Sequence, residues 1–266
     1  MCLTLEQLGI HPISSRHETG CGQHEIDFTA SSALQAADTF LSFKSAVKSI
    51  AENHGVHASF MPKPRPDDCG NGMHIGLNLF RDSDFFGDGD AGSTDVTGAL
   101  RSAAAGIMEH ICEFTLLTNP TVNSYDRLGE FSAPRYVAWS AAEEGQLMRI
   151  NVGESDDRPE APIILRAPDC VCDPYLVIGL MIYAALEGID AALELPEPYS
   201  PDGSYSLLPS TLEEAAKLAG GSDFLRRYLS GSIVDSLVGA ARRSWEEYSA
   251  AKDKQSFIDE KYFYSL

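Results

Sequence analysis

The 266-residue chain has few basic residues and no long apolar run. It contains 20 Lys and Arg against 39 Asp and Glu, which gives a formal net charge of −19. A nucleic-acid-binding surface needs a basic patch, so this composition argues against a nucleic-acid partner. The longest apolar run, residues 175–186, lies between Asp173 and Glu187 and is too short to span a bilayer. We therefore expect no nucleic-acid and no membrane partner.

The chain also lacks paired cysteines with zinc-binding spacing. Its 6 cysteines are scattered, and Cys170 and Cys172, one residue apart, are only a weak metal signal. We interpret them as free thiols of a reducing compartment. Residues 3–8 are too short and too polar for a secretion signal, so we expect a cytoplasmic protein. A hydrophobic content of 44% is sufficient for a substantial core.

Helical periodicity and end signals predict several helices. One spans residues 31–54 and ends at Gly55, and another runs from about residue 93 to 117. A third starts at Asp173-Pro174, with Asp173 as its N-cap, and runs to about residue 193. A loop over residues 194–209 leads to several short helices, including 233–248 with Trp245 as a packing anchor.

Strands are predicted for residues 56–62, 72–80, 135–140, 146–151 and 162–167. In residues 72–80, apolar and polar side chains alternate, which puts His74 on the polar face. The acidic loop 81–95 contains Asp82, Asp84, Asp88 and Asp90 but fails the EF-hand template, so we interpret it as solvated. The fold class expected is α+β, with a partial curved antiparallel sheet backed by helices and a helical C-terminal region.

Residues 16–28 hold the most informative pattern. Glu18 and Glu25 lie seven residues apart in a glycine-rich stretch, and residues 23–28 alternate like a strand. Carboxylate oxygens are the ligands that Mg²⁺ and Mn²⁺ prefer. Two solvated acids of an acidic protein are the alternative interpretation of this pair.

This segment resembles the metal-binding strand of glutamine synthetases. Other motifs similar to that family follow in order, over nearly the whole chain: Phe60-Met61-Pro62-Lys63-Pro64, Gly72-Met73-His74, residues 119–127 from Asn119-Pro120 to Asp126-Arg127, Arg166-Ala167-Pro168-Asp169 and Asp173-Pro174-Tyr175-Leu176. The resemblance implies part of the catalytic barrel of that family.

The resemblance also implies a reaction and its participants. In the family, ATP phosphorylates the γ-carboxylate of glutamate, and ammonia then displaces the phosphate. Two Mg²⁺ or Mn²⁺ ions and several arginines stabilise the charge on the transferring phosphoryl group. The expected partners are therefore glutamate, ATP and ammonia or another amine.

The matching positions imply a role for seven residues. Glu18 and Glu25 match ligands of one metal ion, and His74 matches a ligand of the other. Arg127 and Arg166 match catalytic arginines that bind the glutamate carboxylate or the acyl phosphate. Arg149 matches a nucleotide-binding arginine, and Gly70 lies in the loop that holds the glutamate backbone. A lone histidine or arginine more often has a structural role, which is the alternative for each.

Several positions depart from the family pattern, and all of them are reactive. Ile164 replaces a glutamate ligand of the second metal ion, and Gly76 replaces a histidine. Glu144 replaces a phosphate-binding arginine, and Ser132 replaces the glutamate that helps to deprotonate ammonium. The remaining departures are Pro162 and Ala142, each in place of an arginine, and Cys69 in place of an asparagine.

These departures predict impaired or absent ligation by this chain alone, with at most one weak cation at Glu18 and Glu25. We expect residues 1–266 to be a catalytic domain that lacks its N-terminal part and a β-grasp domain. Two alternatives stay open: an inactive paralogue, and a γ-glutamyl-amine ligase completed by a separate N-terminal subunit. A homo-oligomer is also compatible with the resemblance.

Overall fold

A computed structural model describes residues 1–81, 84–85, 94–141, 145–150 and 162–266 of the chain. Five predicted features lie outside the described residues: Ala142, Glu144, and the acidic side chains Asp82, Asp88 and Asp90. Among the helices of the described residues, none is long and apolar enough to cross a membrane.

Nine helices lie in the described part of the chain, and they confirm the predicted helical regions. They are α1 (Cys2–Gln7), α2 (Ala33–Asn53), α3 (Thr94–Thr118), α4 (Ser124–Arg127), α5 (Pro174–Asp190), α6 (Leu212–Gly220), α7 (Asp223–Tyr228), α8 (Gly231–Ala250) and α9 (Lys254–Tyr262). Helix α5 begins as predicted, because the Asp173 carboxylate accepts hydrogen bonds from the backbone N–H groups of Tyr175 and Leu176. The C-terminal region is helical, and Trp245 of α8 packs against the core.

The strands form three small sheets in the described residues. An antiparallel hairpin pairs β1 (Pro12–His17) with β2 (His24–Phe28). A four-stranded sheet has the order β3-β8-β7-β6, with β3 at Ile75–Leu77, β6 at Trp139–Ser140, β7 at Met148–Ile150 and β8 at Ile163–Leu165. Its pairs are antiparallel except for the parallel pair β6–β7. Strands β4 (Phe80–Arg81) and β5 (Asp84–Phe85) pair in the predicted acidic loop.

This mixed α+β architecture, with a small sheet that does not close into a barrel within the described residues, confirms the expected fold class. The strand predicted at residues 56–62 is wrong, since no strand forms there. That segment has no neighbouring strand, and its backbone bonds elsewhere: Phe60 N donates to Leu266 O, and Pro62 O accepts from Asn71 N. An extended sequence pattern needs a partner strand before it can become part of a sheet.

The core lies between the helices and one face of the four-stranded sheet. Helix α3 packs on α5 and α6, and the largest fully buried side chains include Phe114, Ile107 and Ile111 of α3. Met148, Ile150, Ile163 and Leu165 of the sheet are 0% exposed and face these helices. Because side chains of a strand alternate between faces, the residues between them point to the opposite face.

Candidate functional site

The opposite face of the four-stranded sheet carries a row of three paired positions. Ile164 of β8 pairs with Gly76 of β3 on one side and with Arg149 of β7 on the other. Directly opposed residues of a sheet share a face, so these three positions are neighbours. The position that the resemblance assigns to a metal-binding glutamate therefore carries an isoleucine, and beside it Gly76 stands in place of a family histidine.

His74 lies two residues before Gly76 of this row, close enough to the three predicted arginines for their charges to act on it. Desolvation is the largest cause that holds the pKa of His74 well below its usual range, followed by the positive charges of Arg166, Arg127 and Arg149. Water still reaches its side chain. The structure thus brings four of the predicted site residues together in one water-accessible, positively charged region. The alternation predicts His74 on the polar face, and this agrees with the packing of Met73, Ile75, Leu77 and Leu79 on the core.

Arg127 is the most deeply placed of the three arginines and is 4% exposed. Its Nη2 atom donates to the backbone carbonyls of Ala167 and Pro168. Desolvation lowers the pKa of Arg127, and the buried carboxylate of Asp169 opposes that shift. Arg127 therefore joins helix α4 to the segment that follows β8 and adds positive charge beneath the site.

The Gly70 loop lies directly against Arg127. A Cβ atom at Gly70 would come 2.5 Å from Pro62 O and 2.6 Å from Arg127 Cγ, so only glycine fits there. Gln23 connects this loop to the hairpin, because its Nε2 atom donates to Gly70 O at 3.0 Å and to Asn71 Oδ1 at 2.8 Å. The hairpin and the Gly70 loop are thereby fixed to one another.

Glu18 and Glu25 come together, as predicted, but Arg16 binds both of them. Its Nε atom lies 3.1 Å from Glu18 Oε1, and its Nη2 atom lies 2.6 Å from Glu25 Oε1. Desolvation and the hydrogen bond with Glu18 raise the pKa of Glu25 to about 7. The same hydrogen bond is the largest cause that lowers the pKa of Glu18. The pair is therefore held by one guanidinium and by a bond between its own carboxyl groups.

The predicted metal ligands do not fit a divalent ion as they stand. Within the described residues, no group of three or more His, Cys, Asp and Glu side chains could hold a metal ion. Glu18 and Glu25 bond to Arg16 and to each other, and Ile164 and Gly76 offer no oxygen or nitrogen side-chain ligand. An Mg²⁺ or Mn²⁺ site needs several oxygen ligands, which this arrangement does not supply.

Two other departures, Ser132 and Cys69, each follow a residue that Lys63 contacts. Ser132 is exposed and follows Phe131, which is 60% exposed and has a φ of 50°. The Lys63 ammonium lies 4.7 Å from the centre of the Phe131 ring and donates to Asp68 O at 2.8 Å. Cys69 is partly buried beside this loop. All of the cysteines are free, as predicted.

Sequence reasoning gave no role to Arg16, Gln23 or Lys63. A signal for Arg16 was available, because Gly20 and Gly22 between two alternating segments indicate a hairpin, and a hairpin places Arg16 across from Glu25. Gln23 bonds to Gly70 O in a loop far along the chain, and Lys63 bonds to Asp68 O within its own loop; no local pattern reports either contact.

The fold and site define an α+β domain with arginines gathered at a sheet face beside a paired-carboxylate hairpin. The sequence profile described as "Glutamine synthetase, catalytic domain" matches residues 1–259. The glutamine synthetase of Methanosarcina mazei is 38% identical over 259 residues, which cover 92% of this chain and 57% of that protein. The glutamine synthetase of Thermus thermophilus is 36% identical over 93% of this chain and 58% of its own length.

Solved structures give the same result. A structure titled as a GmaS/ADP complex superimposes with a TM-score of 0.82 and 27% identity, covering 95% of this chain and 60% of that one. A GmaS without ligand matches equally well, with a TM-score of 0.82 and 26% identity. The chain therefore belongs to the glutamine synthetase family, and it spans just under 60% of the length of the curated relatives it matches.

Proposed function

We propose that this chain binds glutamate, or a closely similar dicarboxylate, at the arginine-lined face beside the Gly70 loop. The observation that carries the proposal is the gathering of three arginine charges around His74 in a chain whose net charge is −19. Buried guanidinium groups bind carboxylates strongly because their hydrogen bonds are charge-assisted. Such a concentration of positive charge in an acidic protein favours an anionic ligand.

The three arginines have different roles in this proposal. Arg149 and Arg166 contact the ligand anion from the polar face of β7 and β8. Arg127 is a positioning residue: its Cγ and Cδ atoms lie against Gly70, and its Nη2 atom bonds to the backbone carbonyls of Ala167 and Pro168. The Gly70 loop holds the α-carboxyl and amino end of glutamate, as the family resemblance implies.

We further propose that ligation by this chain alone is impaired or absent. In the family reaction a γ-carboxylate oxygen attacks the γ-phosphorus of ATP, ADP leaves, and an amine then displaces phosphate from the acyl phosphate. The transferring phosphoryl group carries charge that positively charged groups must stabilise. Here arginines remain near the sheet face, but Ile164 lies at the centre of the row, Gly76 lies at one end of it, and Arg16 binds the paired carboxylates.

A second candidate is a γ-glutamyl-amine ligase that acts with a separate N-terminal subunit. GmaS is a γ-glutamylmethylamide synthetase, and its solved structures resemble this chain. Ser132 offers a small hydroxyl where the family resemblance implies a glutamate for ammonium, which favours a bulkier amine. Methylamine-dependent phosphate release would support this candidate over glutamate binding alone.

Two measurements test the proposal. Isothermal titration with glutamate should give a heat of binding, and the Arg166→Gln variant should bind about 10–100-fold more weakly, as expected for a lost charge-assisted contact. Phosphate release with ATP, Mn²⁺, glutamate and ammonia should stay at the rate without protein.

The control is Arg226→Gln, which removes an exposed ion pair with Asp235 at 2.7 Å, away from the sheet face. It should bind glutamate as the unmodified chain does. Absence of glutamate binding would refute the proposed ligand, and glutamate-dependent phosphate release would refute the impaired ligation.

A further inference from the structure

We propose that Arg16 is a resident cation of the Glu18–Glu25 site, and that it sets the affinity of this chain for divalent ions. Its guanidinium takes the place between the carboxylates that a metal ion would need. The inference does not depend on the proposed glutamate binding, because it concerns metal affinity in the absence of any substrate.

The backbone of the hairpin places Arg16 at this position. Strands β1 and β2 pair so that Arg16 lies directly opposite Glu25 and His17 opposite His24. Opposed side chains of an antiparallel pair share a face and approach each other closely. The position of the guanidinium over Glu25 therefore follows from the register.

Arg16 engages three carboxylates at once. In addition to the bonds at 3.1 Å to Glu18 and 2.6 Å to Glu25, its Nη1 atom lies 3.2 Å from Asp27 Oδ2. The fork of a guanidinium carries five donors, so one side chain can serve several acceptors. The oxygens that a divalent ion would use are thus already committed.

Two effects oppose a divalent ion at this site. The ion must displace the guanidinium from Glu18 and Glu25 before it can reach their oxygens. The displaced arginine, tethered to the same strand, then remains near the ion as a like charge. A neutral side chain at residue 16 with fewer hydrogen-bond donors removes both effects, because it carries no charge and cannot bind three carboxylates at once. The affinity for the ion should therefore rise.

The hairpin does not rely on Arg16 for its fold. Glu18 N donates to Gln23 O at 3.0 Å across the turn, and Ser14 Oγ donates to Asp27 Oδ2 at 2.5 Å. The Arg16 side chain is 54% exposed, so its replacement leaves no cavity in the core. Exposed ion pairs contribute little to stability, and a neutral variant should therefore fold.

Electron paramagnetic resonance of free Mn²⁺ tests the inference, with Mn²⁺ as the only probe and circular dichroism to verify the fold. Arg16→Gln should bind Mn²⁺ at least about 10-fold more tightly than the unmodified chain, which corresponds to ~1.4 kcal/mol. The double variant Arg16→Gln/Glu25→Gln should lose that gain. Arg226→Gln, which also removes one exposed arginine, should bind like the unmodified chain.

Two outcomes would overturn the inference. Arg16→Gln could bind Mn²⁺ no more tightly than the unmodified chain, which would mean that the guanidinium is no obstacle. The gain could also persist without Glu25, which would mean that the carboxylate pair is not the site. Each Mn²⁺ affinity is measured without glutamate, so its outcome can be distinguished from a failure of the proposed glutamate binding.

Discussion

At the scale of single residues, Gly70 and Arg127 are fitted to each other. The aliphatic part of Arg127 lies beneath Gly70, and its guanidinium continues under Gly72. The negative charge of Asp169 favours the charged form of Arg127. Asp169 is fully buried and accepts hydrogen bonds from Asn119 and from the backbone of Val171. A substitution in the loop therefore acts on the arginine and, through it, on the charge beneath the site.

This fit predicts that Gly70→Ala destabilises the chain. The added Cβ would approach Pro62 O, a backbone atom, to 2.5 Å, and relief requires movement of the loop. We expect a loss of about 1–3 kcal/mol in the free energy of unfolding, measured by urea denaturation. Gly72→Ala is the matched control, since its closest contact is 2.9 Å to the end of the Arg127 side chain, which can shift. Equal losses for the two variants would contradict this explanation.

Some contacts of the site residues could be predicted from the sequence, and others could not. His74, Arg127, Arg149 and Arg166 converge as their ordered motifs implied. The state of Glu18 and Glu25 was not predictable from those two residues, because it depends on Arg16 across the hairpin. Contacts between strands follow from register, and register is fixed by the turn rather than by the reactive residues themselves.

At the scale of elements, helices α3 and α5 cross at two glycines. A Cβ at Gly106 would lie 2.1 Å from Ala184 O, and a Cβ at Gly188 would lie 2.1 Å from Ser102 O. The two helix backbones are thus in contact at this point, and the buried side chains above and below interdigitate around it. This crossing sets the position of α5, whose N-terminus follows Asp169 and the segment bound by Arg127.

The crossing predicts opposite effects for two glycines of α3. Gly98 is exposed, and a Cβ there would meet no atom within 4 Å, so Gly98→Ala should stabilise the chain by about 0.5–1 kcal/mol through helix propensity. Gly106→Ala gains the same propensity but forces the helices apart, and we expect a net loss of ~1–3 kcal/mol. Urea unfolding of both variants measures the difference, and a stabilised Gly106→Ala would show that the helices can separate at no cost.

Elements differ in how far local sequence determines them. Helix α5 was predictable to the residue at its start because Asp173 and Pro174 are a cap and a first-turn residue, which act locally. The strands were predictable only in part: residues 135–140 form a strand at Trp139–Ser140 alone, and residues 56–62 form none. Strand formation needs a partner from elsewhere in the chain, so the alternation of residues is not sufficient.

At the scale of the whole molecule, the charge is unevenly distributed. Arg127, Arg166 and Lys63 are at most 7% exposed, and Arg149 lies on the sheet face beside them. These bases lie in the interior or on the sheet face, so they do little to balance the 39 acidic residues of the chain. Most acidic residues whose exposure the structure describes are exposed. The outer surface is therefore left with strong repulsion between like charges, which opposes the compact state.

This distribution predicts that the chain becomes more stable as salt is added, with most of the effect at low concentration. Between 0.01 and 0.1 M NaCl the Debye length falls from about 30 Å to about 10 Å, so repulsion between distant surface carboxylates is screened in that range. A gain of about 1 kcal/mol corresponds to a rise of ~2–4 °C in Tm for a chain of this size. Thermal unfolding followed by tryptophan fluorescence measures the rise, since Trp139 is 5% exposed and reports on the core.

The shape of the salt dependence distinguishes screening from a general salt effect. Screening of surface charge should approach a limit above about 0.1 M, where the Debye length is already about 10 Å or less and repulsion between distant carboxylates is largely screened. Exclusion of ions from the protein surface instead strengthens burial in proportion to concentration, and sulfate does so more than chloride. A Tm that rises only above that concentration, and more with sulfate than with chloride, would mean that surface repulsion does not limit the stability of this fold.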